Sequence, residues 1–222
     1  MKTLDSLETI SDGKLYDIKD MARVDTGGCK DCCDCCHGVG ELVELTPYDV
    51  HEIVRGLQTS FEALLEEKLT LRDECGLLRP HLKMVGETEQ CSFLDDSGRC
   101  GIHAYRPGIC RLFPLGRVYS DNDFKYFLQL DVCSRPNLEK MKVKKWIGID
   151  HYKENKAFIL SWHYFMKALE FRMKFIKDTA ERSAVNDYLL DLFYRERWED
   201  ALNFYEEFDQ SLALAKEKLG IL

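Results

Sequence analysis

Apolar positions run in helical stripes over the C-terminal half of the chain and in short, broken runs before it. Between Asp150 and Asp178 one face carries Phe158, Ile159, Trp162, Phe165, Met166, Leu169, Met173 and Ile176, which predicts a long helix. A shorter helix over Val143–Ile147 precedes it and ends at Gly148. Two more are predicted over 181–195 and 197–218, the last with Trp198, Leu202, Tyr205, Phe208 and Leu212 at helical spacing. Nearer the N-terminus, Thr46 and Pro47 are an N-cap and a first helical residue, and Asp49 adds an acid in the first turn. Val50, Ile53, Val54 and Leu57 form that helix's apolar face, with Gly56 and Thr59-Ser60 as punctuation. Ser60 caps a second helix with Phe61, Leu64, Leu65 and Leu69 as its stripe.

Residues 78–85 read as extended. One hairpin is predicted around Asp96-Ser97-Gly98, and another around Asp121-Asn122-Asp123 with flanks 117–120 and 124–130. Arg106-Pro107 opens a short turn or helix carrying Cys110 and Arg111. The expected fold class is therefore mainly α, with a small, irregular, hairpin-containing cysteine-rich region and a C-terminal helical extension. Three parts follow. Residues 1–28 are a polar lead-in with one short amphipathic stretch. Residues 29–136 hold every cysteine and all five prolines, and 137–222 are a helical tail packed on them.

The length of 222 residues is ample for a buried core. No apolar run reaches the roughly 20 residues of a membrane span. The N-terminus lacks a basic segment followed by an apolar one, so no export is expected and the chain is placed in the cytoplasm. With 39 acidic against 31 basic residues the net charge is −8, which argues against binding nucleic-acid phosphates as the main task. The expected partner is instead another protein or a redox partner, with no membrane involved.

Ten cysteines change the picture. In a reducing compartment thiols stay reduced, so they are better explained as metal ligands or redox groups than as staples. Cys29-Lys-Asp-Cys32-Cys33-Asp-Cys35-Cys36 contains C-x2-C-x2-C-C, whose tight turns bring sulfurs to one side. Three islands follow: Cys91, then Cys100 to Pro114, then Cys133-Ser-Arg-Pro136. The Cys29–Cys36 opening, the Thr46-Pro47 helix start, Gly-x-Cys, the box Arg106-Pro-x-x-Cys110-Arg-x-Phe-Pro114 and the final cysteine together resemble the cysteine-cluster family called YkgJ, whose domain is named for zinc or iron chelation. The resemblance covers about 29–136. Position by position, it implies Cys29, Cys32, Cys35, Cys36, Cys91, Cys100, Cys110 and Cys133 as metal ligands, in one or two sites that converge in space. Cys33 and Cys75 lie outside the family pattern, and Cys75 is expected not to be a ligand.

Both zinc and iron–sulfur clusters accept four thiolates. Cys29-x2-Cys32-x2-Cys35 plus a remote cysteine is how ferredoxin-type clusters are tethered, so iron–sulfur is favoured over zinc. The implied role is electron transfer or metal handling. Flagellin lysine N-methylases carry a similar block but are longer, and no methyl-donor motif is visible here, so an enzymatic role stays an alternative, as does a zinc-folded interaction adaptor. Cys29-x3-Cys33-x2-Cys36 also matches the triplet of radical S-adenosylmethionine enzymes, but the β/α alternation of their barrel is absent. Arg106 and Arg111 are expected to offset thiolate charge, His37 and His103 to lie near the sulfurs, and Gly38 and Gly40 to aim backbone amides at them. Nucleotide, nucleophile-elbow and zinc-protease motifs are absent.

Overall fold

A computed structural model of the chain describes residues 7, 9–25, 27, 32–39, 42–135, 138–195 and 204–221. The predicted start at Thr46-Pro47 opens α1 (Pro47–Leu57) with a capping box: the Asp49 amide donates to Thr46 Oγ1 (3.3 Å), and the Thr46 amide donates to Asp49 Oδ2 (2.9 Å). Gly56 sits inside this helix. A Cβ there would stand 2.6 Å from the Tyr105 ring, so the missing side chain lets the 103–105 turn pack on α1. Ser60 caps α2 (Phe61–Glu67) by accepting from the Ala63 amide at 3.2 Å.

Beyond α2 the expectation fails. Leu69 begins a strand rather than closing a helical stripe. β3 (Leu69–Glu74) pairs with β4 (Leu77–Leu82) through a two-residue turn in which Cys75 and Gly76 both have positive φ, 57° and 86°. Short strands recur through the chain. β5 (Met84–Val85) pairs with β6 (Gln90–Cys91), and the predicted hairpin is β7 (Leu115–Ser120) with β8 (Asp123–Gln129), preceded by α3 (Gly108–Leu112). The segment read as a polar lead-in supplies β1 (Ser11–Tyr16), added to the free edge of β8, and β2 (Met21–Asp25), paired with β9 (Glu139–Lys142). With 47% helix and 24% strand in several small antiparallel sheets, the fold is mixed α and β, not mainly α. These strands are short, and their partners are distant in sequence, so periodicity along the chain carried little of their signal.

The helical tail follows its stripes. α4 (Val143–Ile147) ends at Gly148 in the left-handed region, and α5 (Tyr152–Met173) is the long helix. α6 (Thr179–Leu190) is capped by Asp178 and runs into a π-helical segment, Asp191–Arg195. α7 (Phe204–Leu219) closes the chain, while Trp198 and Leu202 lie outside the described residues. No helix among the described residues is long and apolar enough to cross a membrane.

Two cores result. The larger joins α1, α2, β3 and β4 with Cys91, Phe93 and Ile102 and with α5–α7. The smaller joins β2, β7, β8 and α4, and Trp146 closes it by donating to the carbonyl oxygens of Leu112 and Phe113. Inside the larger core Arg79, 7% exposed, is held by Glu44, Glu74 and Glu170. Phe158 of α5 meets Phe208 of α7 at 4.6 Å and Tyr48 of α1 at 6.1 Å, so one ring links the tail to the cysteine region. The Phe158→Ala variant should lose about 3–5 kcal/mol of unfolding free energy in urea denaturation; a loss below about 1 kcal/mol would show that this junction carries little of the packing.

Candidate metal centre

Three backbone devices gather the cysteine islands. His37 forms a bridge with Gln90, and the Gly38 amide donates to the Glu89 carbonyl at 3.1 Å, which sets the 33–38 segment beside β6 and Cys91. Leu94 bridges Cys100, and the Gly101 amide donates to the Phe93 carbonyl at 2.8 Å, so Cys91 and Cys100 face one another across a small loop. That loop is wound around Asp95, whose Oδ1 accepts from the Ser97 amide and hydroxyl and from the Arg99 amide. Finally, Asp49 Oδ1 accepts from the Gly108 amide at 2.7 Å, tying the start of α3 to α1 and fixing Cys110.

Cys35, Cys36, Cys91, Cys100 and Cys110, from four separate segments, thereby come within electrostatic reach of one another. Cys36 donates its S–H to Cys35, which holds the Cys35 thiol below its ordinary value and pushes Cys36 up. Burial raises Cys91, Cys100 and Cys110, and negative charge on neighbouring sulfurs raises each further. Opposing this, the Phe93 amide donates to the Cys91 sulfur and the Ile102 amide to the Cys100 sulfur, bonds that favour thiolate. Arg106 lowers Cys35 and Cys100, and Lys68 lowers Cys91.

The remaining cysteines are placed as follows. Cys32 and Cys33 are half-buried, and the Cys33 sulfur faces Gly98, 3.7 Å from where a Cβ would stand. Cys133 is half-buried, and its neighbour Ser134 donates to Asp34, which docks that segment on the Asp34–Cys36 turn. Cys75 is exposed in the β3–β4 turn, where Gly76 packs near Met173 and Arg182. Cys29 and Gly40 lie outside the described residues.

Several supporting groups differ from expectation. Arg111 donates to the carbonyl oxygens of Arg106 and Ala104, so it braces the 103–106 turn instead of a sulfur. His103 accepts from Arg106 at 2.8 Å, and His37 Nδ1 lies 3.1 Å from the Cys33 carbonyl oxygen. The amide of Gly38 serves Glu89, and the amides that reach sulfur belong to Phe93 and Ile102. Lys68 was missed because its sequence context, Glu62, Glu66 and Glu67, reads as a solvated helix face. It donates to the Ser92 carbonyl oxygen at 2.9 Å and accepts Ser92 Oγ on its own carbonyl at 2.8 Å, which clamps the residue after Cys91. Asp49, three residues after Thr46, was legible as a helix-start acid but not as the anchor of α3.

The donor chemistry, thiols with amide hydrogens and cations beside them, fits a soft or borderline metal. Among the described residues, no three His, Cys, Asp or Glu side chains are already closed around one point. This arrangement defines a chelating, thiol-rich domain. Residues 28–134, just under half of the chain, match the family model CxxCxxCC, described as "Putative zinc- or iron-chelating domain". No curated protein and no solved structure matches the chain. In reduced, chelator-treated protein, a maleimide should modify Cys75 at least about tenfold faster than Cys91 or Cys110, read by peptide mass spectrometry. Equal rates would contradict the burial described here.

Proposed function

We propose that the protein is a metal-cluster protein in which Cys29, Cys32, Cys35, Cys36, Cys91, Cys100, Cys110 and Cys133 bind an iron–sulfur cluster, in one or two sites, for electron transfer or metal handling. One observation carries this reading: thiols from four separate segments oppose each other's ionisation, yet amide hydrogens are bonded to two of these sulfurs and two cations stand within electrostatic reach of them. A packing role gives no reason for both features, whereas a bound cation answers the repulsion and uses the donors.

The chain's own contributions can be named. Phe93 and Ile102 amides favour thiolate at Cys91 and Cys100, and Arg106 and Lys68 offset negative charge, Arg106 at Cys35 and Cys100 and Lys68 at Cys91. Asp49 fixes the helical turn that carries Cys110, and Ser134 docks the last cysteine segment on the first. A cluster held there would supply one-electron redox chemistry. Iron–sulfur is favoured over zinc because the opening block carries closely spaced cysteines while the later ones are single and distant, as in cluster tethering. The family description supports zinc or iron equally.

Protein purified without oxygen should be brown, absorb broadly near about 400 nm and contain iron and acid-labile sulfide in comparable amounts. Stoichiometric zinc without sulfide would replace the cluster with a zinc centre. Absence of both metals after anaerobic purification and reconstitution would overturn the metal reading.

A further inference from the structure

Between the two cores, behind the thiol cluster, lies a cavity of about 560 Å³. That size suits a small organic molecule. α3 forms the partition: Ile109, Arg111 and Leu112 line the cavity, while Cys110, between them, belongs to the thiol group.

The charges along this cavity are unevenly paired. At one end Glu44 and Glu170 are held by Arg79, and Lys167 also bonds Glu170. Elsewhere on the wall the situation is reversed. Arg106, Arg111 and Arg117 line the wall, and among the described residues none of them has a carboxylate within ion-pair distance. Buried Nε atoms of Arg106 and Arg117 have no hydrogen-bond partner. Arg117 is set in place by hydrogen bonds to the Tyr119 and Tyr126 hydroxyl oxygens and by the Phe124 ring at 5.4 Å, which leave its Nε open. Of the two nearby acids, Asp49 is committed to Thr46 and to the Gly108 amide, and Glu52, whose carboxyl burial pushes up, is within electrostatic reach of Arg55 and Arg111 but not of Arg117. Guanidinium forks match carboxylate and phosphate oxygens. The walls between the two ends are apolar and aromatic, with Phe127, Phe158 and Trp162, and with Tyr119 and His163 stacked in parallel at 3.7 Å.

We propose that this cavity binds a small anionic molecule, with its carboxylate or phosphate oxygens taken up by the arginines of the wall, Arg117 foremost, and an apolar or aromatic body against Phe158 and Trp162. Apart from Arg106, which also faces the thiol group, the site stands on its own residues and does not depend on which metal the thiols hold. Its wall shares α3 with Cys110, so occupancy and the state of the thiol centre share one structural element.

Four probes of similar shape separate the possibilities: benzoate, phenyl phosphate, benzyl alcohol and benzylamine, titrated into the full-length protein with tryptophan fluorescence and calorimetry as readouts. At least one anion should bind about tenfold or more tightly than the alcohol and the amine. Preference for benzoate assigns a carboxylate ligand, and preference for phenyl phosphate a phosphorylated one. Arg117→Gln should weaken the anion about tenfold, Arg117→Lys should restore part of the loss, and Lys125→Gln, on the surface, should change nothing. Trp162→Phe should remove most of the fluorescence response. The proposal fails if neither anion binds by about 10 mM, the weak limit for so small a ligand. It also fails if the amine or alcohol binds as tightly, or if a folded Arg117→Gln protein binds as the parent does. Should that variant not fold, the comparison of the four probes on the unaltered protein decides.

Discussion

The structure depends on one constraint: thiols brought this close cannot all carry charge unless something positive stands among them. Burial and mutual repulsion raise Cys91, Cys100 and Cys110 together. Each further thiolate would be costlier than the last in so confined a space. The chain accepts this arrangement and reinforces it, since strand bridges, an Asx-wound loop and the Asp49–Gly108 bond all act to hold the sulfur-bearing segments together. Zinc or iron chelation by the family's domain is the chemical answer to that electrostatic problem.

The scaffold that enforces the convergence is shared between parts that look separate in sequence. α1 carries the capping box, receives Tyr105 in the gap left by Gly56, and anchors α3. Its opposite side is packed by the tail, through Tyr48 against Phe158, Phe204 and Tyr205. Burial of those rings therefore stabilises the position of Cys110 at a distance. The Arg79 group extends the coupling: its carboxylate partners come from a loop before α1, from β3 and from α5. Such buried ion pairs are costly to break singly. The thiol cluster is thus held from behind by a helical core, while Cys35 stays exposed.

Local chemistry was the legible part of the sequence. Helix caps at Thr46, Ser60 and Gly148, the long stripe of α5 and the turn at 121–123 declare themselves through nearby residues, and each stands where it was expected. The thiol spacing announced chelation for the same reason. What stayed hidden is non-local. β1 pairs Ser11 with Gln129, and β2 pairs Met21 with Lys142, contacts that no period along the chain records. β3 was mistaken for the end of a helix because Leu69 continues the spacing of Phe61, Leu64 and Leu65. Lys68 and Asp49 show the same limit at the site: their residue types fit a solvated face and a helix start, and only the tertiary fold turns them toward Ser92 and Gly108.

The central claim is that cysteines dispersed over a hundred residues serve as the ligands of one metal–thiolate centre or of two neighbouring ones. X-ray absorption at the edge of the metal bound to anaerobically purified protein tests it most directly, because it counts the atoms around the ion. The account predicts an inner shell of sulfur at about 2.3 Å. A shell made mainly of nitrogen or oxygen at about 2.0–2.1 Å would contradict it, and would mean that the converged thiols are not what holds the metal.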